Sequence, residues 1–151
     1  MVKSLSVFIV SIVLSLNASA HGGASGIVKQ RMDAMTEIKD ASKAIREMAR
    51  AERAMDFEQA QKLARSVIDH AANMTSLFPD TKASRHGAKT EALPEIWQQW
   101  DKFSASADEL EQAATKALQA AQAEDRDSLN GAIRDMGRTC KSCHKQFRKA
   151  K

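Results

Sequence analysis

The sequence has no stretch in which polar and apolar residues alternate, and none is enriched in β-branched residues in the way that strands usually are. Apolar residues instead recur at spacings of three and four, which is the period of an amphipathic α-helix. Because the strand pattern is absent, the sequence excludes folds that are built on a sheet. It predicts an all-α protein.

Long hydrophobic runs are also absent, with one exception close to the N-terminus. The apolar stretch Ser4–Leu16 is shorter than the roughly 20 residues that a membrane-spanning helix needs. It follows the basic Lys3 and precedes the small residues Asn17–Ala20, which is the arrangement of a secretory signal peptide. We therefore predict that residues 1–20 are removed and that residues 21–151 form a single domain in a bacterial periplasm, with no membrane association after processing.

The sequence lacks a run of charges of one sign. Its 23 Lys and Arg residues outnumber its 19 Asp and Glu residues, and the charges are interspersed along the predicted helices. This distribution is typical of an ordinary solvated surface. We therefore predict no nucleic-acid partner, and no charged patch in the sequence is clear enough to name a docking face.

Arrangements typical of catalytic sites are missing as well. The sequence shows no nucleophile paired with a base, no carboxylate pair at a recognisable spacing and no phosphate-binding loop. Each of these would be expected of a hydrolase or a transferase with a side-chain mechanism. The sequence therefore predicts a protein that is not an enzyme.

Four amphipathic segments account for most of the mature chain. Asp56 and Gln59 stand three apart, as in a capping box at the start of a helix. Pro79 suits a helix end and Pro94 suits a first helical turn. Four helices that are mostly joined by short turns pack most simply as an antiparallel four-helix bundle. The predicted helices run from Ile27 to about Arg53, from Asp56 to about Pro79, from Pro94 to about Ala121 and from Asp125 or Asp127 onward, with one long loop at Asp80–Leu93.

Residues with distinctive chemistry lie at the end of the fourth predicted helix, in the motif Cys140-Lys141-Ser142-Cys143-His144. Two thiols three residues apart on a helix can each add to one vinyl group of haem, and the adjacent histidine can bind the iron. Cys140 and Cys143 are also the only cysteines in the chain. The motif therefore predicts one covalent haem c, with its iron on His144, near the C-terminal end of the fourth helix.

Three other uses of this motif fit the sequence less well. A thioredoxin-type redox pair would begin a helix after a strand, whereas this pair lies at the end of a helix. A structural zinc site needs about four ligands, and the other histidines, His21, His70 and His86, are distant in the sequence. A disulfide between neighbouring helical positions would leave His144 unexplained. Haem attachment is the interpretation that uses all three residues of the motif.

The chain resembles the class II c-type cytochromes, the cytochrome c prime family, in which the haem motif lies near the C-terminus. The resemblance implies that Arg31 pairs with a haem propionate. Alternatively, Arg31 is a solvated surface charge near the start of a helix. It also implies that Arg148 lies beside His144. Alternatively, Arg148 is only a positive charge at the C-terminus of a helix, where the helix dipole favours it. The same resemblance implies a homodimer through the first two helices. Three further stretches agree with the family: Arg31–Met35, Leu77–Pro79 and Ile96–Phe103.

The resemblance places Met35, four residues after Arg31, against the open face of the haem. If the Met35 thioether binds the iron, the iron is six-coordinate and low-spin, and the protein passes single electrons to and from an unidentified redox partner protein. If Met35 is only a core residue, the iron is five-coordinate and admits a diatomic gas, nitric oxide or carbon monoxide. Met32 falls about 60° further round the helix and is expected to face solvent. An electron carrier ligated by Met35 is our first hypothesis, and a gas-binding protein is the second.

Overall fold

The computed structural model describes residues 23–150, so the predicted signal peptide at residues 1–20 and His21 lie outside the described residues. The elements are α1 (Gly26–Ala49), α2 (Phe57–Ala72), a 3₁₀ turn (Met74–Leu77), α3 (Lys82–His86), α4 (Glu95–Gln98), α5 (Trp100–Gln122) and α6 (Arg126–Phe147). The long helices α1, α2, α5 and α6 form an antiparallel four-helix bundle. This part of the chain contains no strand, which confirms the predicted all-α fold. None of its helices combines the length and the apolarity needed to cross a bilayer.

The buried face of α1 has the predicted spacing, but the helix ends at Ala49 rather than at Arg53. Ala51 adopts a left-handed conformation with a φ of 59°. The backbone N–H of Glu52 then donates to the carbonyl of Glu47 at 2.9 Å. This is a Schellman cap, which most often has glycine at the left-handed position. Because alanine occupies that position here, the sequence carried no signal for the helix end.

Asp56 caps α2 as predicted, because its side chain accepts a hydrogen bond of 2.8 Å from the backbone N–H of Gln59. The helix is shorter than predicted, since it ends at Ala72 and the 3₁₀ turn follows it. Within the predicted loop, α3 forms because the hydroxyl of Thr81 accepts from the backbone N–H of Ser84 at 3.2 Å. The prediction of a continuous loop in this region was therefore wrong.

The third predicted helix is interrupted at Gln99. This residue leaves the helical conformation, with φ −126° and ψ 48°, and separates α4 from α5. The two tryptophans of this region consequently have different environments. Trp97 is half-buried and donates its indole N–H to the carbonyl of Phe78 at 3.0 Å, whereas Trp100 is 38% exposed. The prediction of one continuous helix with Trp100 on its inner face was wrong.

The helices α2 and α5 pack against each other largely through alanines. A small side chain lets two helix backbones approach closely, and it leaves little space between them. By contrast, α1 and α6 contribute larger core residues, among them the fully buried Ile45 and Leu129. The alanines with no exposed surface are Ala60, Ala64, Ala114, Ala117 and Ala121.

We predict that Asp125→Ala destabilises the protein more than Asp127→Ala. The Asp125 carboxylate accepts from the backbone N–H of Ser128 at 3.0 Å and from its hydroxyl at 2.6 Å, so Asp125 is the cap of α6. Guanidinium unfolding at neutral pH should therefore give Asp125→Ala the lower denaturation midpoint.

This difference should depend on pH. The hydrogen bonds from Ser128 lower the pKa of Asp125, so their contribution to stability is present above the ordinary Asp range and is lost as the pH falls through the lowered pKa. The gap between the two variants should shrink as the pH approaches about 3. A gap of constant size would contradict this account of the cap.

Candidate functional site

Two adjoining cavities lie between α1, α5 and the end of α6. Their volumes are about 410 and 430 Å³, within the range of pockets that bind cofactors. We refer to them as the first and the second cavity. The residues that line both are Met35, Lys39, Phe103, Cys143 and His144.

The two cysteines lie one helical turn apart near the end of α6. Cys143 lines both cavities, Cys140 lines the second, and both are half-buried free thiols. Burial raises the pKa of Cys143 to about 11, and burial also raises the pKa of Cys140. Both thiols are therefore protonated and uncharged at neutral pH. Because both border the second cavity, they meet the requirement for attaching one ligand at two points.

His144 follows Cys143 and lines both cavities with a half-buried side chain. Burial lowers the pKa of His144, the nearby charge of Arg148 lowers it further, and Glu91 opposes the shift. The imidazole is therefore neutral near pH 7, which is the form that binds a metal. Among the described residues, no three His, Cys, Asp or Glu side chains are grouped as a site for a metal ion alone would need.

Two methionines of α1 border the same space. Met35 is half-buried, packs against the core and lines both cavities, as Cys143 and His144 do. Met32 is half-buried and lines the first cavity only. The expectation that Met32 faces solvent was therefore wrong. The first cavity extends along α1 past the residues of its buried face and reaches Met32. Of the two thioethers, only Met35 shares both cavities with the imidazole.

Arg31 is buried, with 6% of its surface exposed, and lines the first cavity. Its guanidinium donates to the carbonyl of Leu77 (2.9 and 3.2 Å), to the hydroxyl of Ser84 (2.8 Å) and to that of Thr90 (3.2 Å). It also lies 3.8 Å from the ring centre of Phe78. These bonds use four of its five N–H groups. The burial excludes the alternative of a solvated surface charge.

The charge of Arg31 has no counter-ion within residues 23–150. Burial alone accounts for the shift that lowers the pKa of Arg31 to about 10, and no carboxylate acts against it. Buried charges in proteins are normally paired with an opposite charge. A ligand that carries a carboxylate, such as a haem propionate, would supply that charge from the first cavity.

Arg148 lies beside His144 and is partly exposed. It forms the C-cap of α6, its side chain is 41% exposed, and its Nε is 3.9 Å from the carboxylate of Glu91. The segment after α3 is tied to this end of α6 by a hydrogen bond of 3.0 Å from the N–H of Leu93 to the carbonyl of Phe147. Arg148 therefore fits both interpretations, a charge at a helix C-terminus and a group beside His144. It ends α6, and its charge lowers the pKa of His144.

Aromatic rings form part of the cavity walls. Phe103 lines both cavities, and its ring centre is 4.6 Å from that of Phe78 and 5.5 Å from that of Phe147. These two rings also line the first cavity. Edge-on contacts of this kind hold aromatic side chains in defined positions. The cluster therefore gives the site a firm apolar wall.

The sequence did not indicate Ser84 and Thr90 as partners of Arg31. Both lie in the segment that was predicted as a polar loop, where their hydroxyls are expected to be solvated. The spacing of Thr81 and Ser84, which suits a helix cap, was the available signal. These hydroxyls belong to the site because they accept hydrogen bonds from Arg31 of α1. Together, the paired thiols, the neutral imidazole, the thioether, the buried cation and the apolar walls fit a covalently bound haem.

Known proteins similar to this chain agree with that fit. Residues 26–148 match the protein family described as Cytochrome C'. Cytochrome c-554 of Cereibacter sphaeroides is 40% identical over 102 residues, which are 67% of this chain and 66% of that protein, so the chain spans just under two thirds of that relative. Cytochrome c' of Rhodopseudomonas palustris is 33% identical over 125 residues, which are 83% of each protein.

Solved structures share the fold. Cytochrome c' from Rhodopseudomonas palustris superposes with a TM-score of 0.74 at 32% identity, covering 84% of this chain and 98% of that chain. A nitric oxide complex of a mutant cytochrome c prime from Alcaligenes xylosoxidans superposes with a TM-score of 0.73 at 26% identity, covering 83% and 94%. The four-helix arrangement is therefore common to this chain and these structures.

We expect Arg31→Met to lower the free energy of unfolding by about 2 to 4 kcal/mol. Methionine is of similar length but donates no hydrogen bond, so the carbonyl of Leu77 and two hydroxyls lose their donor. Arg85→Met is the matched control, since Arg85 stacks on Trp97 and pairs with the exposed Asp80 near the surface. Denaturant unfolding should show a clearly smaller effect for the control. Equal effects would contradict a particular role for the buried guanidinium.

Proposed function

Because the chain belongs to the cytochrome c' family, we propose that it is a periplasmic one-electron carrier whose haem iron is bound by His144 and Met35. Covalently attached haem c, with its iron, is the cofactor of this family. In this proposal Cys140 and Cys143 form the two thioether links. Residues 1–20 direct export, in keeping with haem attachment outside the bacterial cytoplasm. We propose no catalytic activity.

The position of Met35 is the observation that carries this proposal. Met35 lines both cavities together with Cys143 and His144, so a thioether from α1 and an imidazole from α6 border the same space. A thioether is a competent axial ligand of haem iron, and it raises the reduction potential. Met32 lines only the first cavity and is the weaker candidate.

When bound, the haem supplies a couple between ferric and ferrous iron that takes up or releases one electron. The side chains of the protein set the conditions for that couple. Burial keeps the His144 imidazole neutral, and Phe103 and Phe147 contribute apolar surface that limits access of water. The guanidinium of Arg31 provides a buried positive charge for a propionate.

Gas binding is the second candidate, in which Met35 packs beside the iron without binding it. A related solved structure, the mutant cytochrome c prime from Alcaligenes xylosoxidans, is a nitric oxide complex. Met35 is also only half-buried, and a methionine side chain adapts its conformation readily. Such a side chain can leave the sixth position open to nitric oxide or carbon monoxide.

Electron transfer requires a redox partner protein, and a homodimer through α1 and α2 stays a prediction. In residues 23–150 the large hydrophobic side chain that is exposed is Trp100, at the start of α5. The described faces of α1 and α2 therefore present no exposed large apolar side chain. A dimer formed there would depend on polar contacts and on half-buried residues.

We expect the ferric protein to have a low-spin absorption spectrum, and Met35→Ala to convert it to a high-spin one. Loss of the thioether opens the sixth position, so the ferrous variant should bind carbon monoxide more tightly and the reduction potential should fall. Absorption spectra in both oxidation states, a carbon monoxide titration and a redox titration measure these changes.

Met32→Ala is the matched control, because Met32 is also a half-buried methionine of α1 at the first cavity. This variant should keep the low-spin spectrum. A high-spin ferric spectrum of the unaltered protein at neutral pH would rule out the Met35 ligand and favour gas binding. A change of spectrum in Met32→Ala alone would assign the ligand to Met32.

The mature protein should have the mass of residues 21–151 plus one haem, even after denaturation. Thioether bonds survive unfolding, so intact mass spectrometry of protein expressed with periplasmic cytochrome maturation measures both processing and attachment. Cys140→Ala should strongly reduce the fraction of chains that carry haem, whereas the matched Ser142→Ala should not. Full haem loading of Cys140→Ala would contradict attachment at this residue.

A further inference from the structure

We infer that basic side chains around the two cavities form the docking surface for an acidic electron-transfer protein. We name this surface the basic rim, and each of its members lines one or both cavities. The inference rests on the proposed function, because an electron carrier needs such a partner. The basic rim comprises Lys39, Lys43 and Arg46 of α1, Lys89 of the segment after α3, and Arg148 at the end of α6.

The side chains of the basic rim reach solvent where the cavities open. Those of Lys39 and Lys43 are 69% and 61% exposed. Long basic side chains of this kind cover apolar surface with their alkyl stems and keep the charged group in water. The charged groups are therefore available to carboxylates of a partner that approaches the cofactor site.

Positive charge is in excess on this surface. Three of the five cations have a carboxylate nearby, but ion pairs between such exposed groups are weak and exchange readily. Arg46 and Lys89 form no ion pair in the described part of the chain. Glu109 of α5 is a further carboxylate, close enough to act on Cys143. The pairs are Lys39–Asp40 (3.1 Å), Lys43–Glu47 (3.7 Å) and Arg148–Glu91 (3.9 Å).

The end of α6 adds to this excess. The stretch 138–150, which includes the haem motif, contains five Lys and Arg residues and no Asp or Glu. Lys141 and Lys145 within it are exposed. The sequence did not reveal a docking face because the cations of the basic rim come from three separate segments. Folding brings these segments to the openings of the same two cavities.

An acidic protein suits the basic rim better than an anionic membrane does. Basic surfaces that bind membranes usually add apolar side chains that enter the lipid. Trp100, the exposed large hydrophobic residue of the described chain, lines neither cavity. Complementary charge, by contrast, mainly speeds the encounter of two proteins and orients them. That is the need of a carrier that must meet its partner and leave it again.

The test is stopped-flow reduction of the ferric holoprotein by a reduced plant-type [2Fe–2S] ferredoxin, chosen as an acidic one-electron donor. The ferredoxin cluster loses one electron, the haem protein gains it, and no atom is transferred. We expect Lys39→Gln/Lys43→Gln/Arg46→Gln to lower the bimolecular rate constant about tenfold at low salt. The variant and the unaltered protein should converge at about 0.5 M salt, where exposed charges are screened.

Lys62→Gln/Arg65→Gln/Lys116→Gln is the matched control. These three side chains are exposed on α2 and α5 and line neither cavity, and their replacement removes the same net charge. The rate constant of this control should stay within about twofold of the unaltered protein. Equal slowing of both triple variants would overturn the basic rim, and so would an unchanged rate in the rim variant.

Two further measurements separate the possible failures. Absorption spectra of both triple variants should match that of the unaltered protein, because none of the six replaced side chains is a proposed ligand of the haem iron. A complete lack of electron transfer from ferredoxin to the unaltered protein would overturn the electron-carrier function together with the basic rim. Sedimentation with phosphatidylserine vesicles that is lost in the rim variant would assign this surface to lipid and overturn the protein partner.

Discussion

The buried guanidinium of Arg31 is the interaction on which the cofactor side of the bundle depends. Arg31 belongs to α1, yet its hydrogen bonds reach the 3₁₀ turn at Leu77, α3 at Ser84 and the following segment at Thr90. The long connection between α2 and α5 is therefore held against α1 and forms a wall of the first cavity. Since no described carboxylate neutralises this charge, the wall also favours a ligand that brings a carboxylate with it.

The bundle is closed on one side and open on the other, and side-chain size explains the difference. Alanines such as Ala64 and Ala117 let α2 and α5 approach closely. Between α1, α5 and the end of α6, protein side chains leave cavities of about 410 and 430 Å³. A rigid apolar group attached there would complete the core, and its binding would then stabilise the fold.

The fold class and the attachment motif could be predicted because both depend on short-range patterns, the helical period and the cysteine spacing. The end of α1 could not be predicted, because Ala51 takes the left-handed position where glycine is the usual signal. Gln99 breaks a helix although glutamine favours helices, so tertiary contacts such as Trp97 to Phe78 override local preference there. The environments of Met32 and Ser84 likewise depend on segments that are remote in sequence.

The two candidate functions differ in whether the Met35 thioether binds the haem iron. The hydrogen bonds that hold α1 in place affect how readily this contact forms. Arg31 lies one helical turn before Met35 on the same face, so the hydrogen bonds that fix Arg31 also fix the backbone from which the thioether extends. A firm backbone reduces the entropy that the Met35 side chain would lose on binding the iron. Ferrous iron is the softer state and prefers a thioether more than ferric iron does. Ligation by Met35 would therefore stabilise the ferrous protein and raise its reduction potential, as a protein that accepts electrons requires.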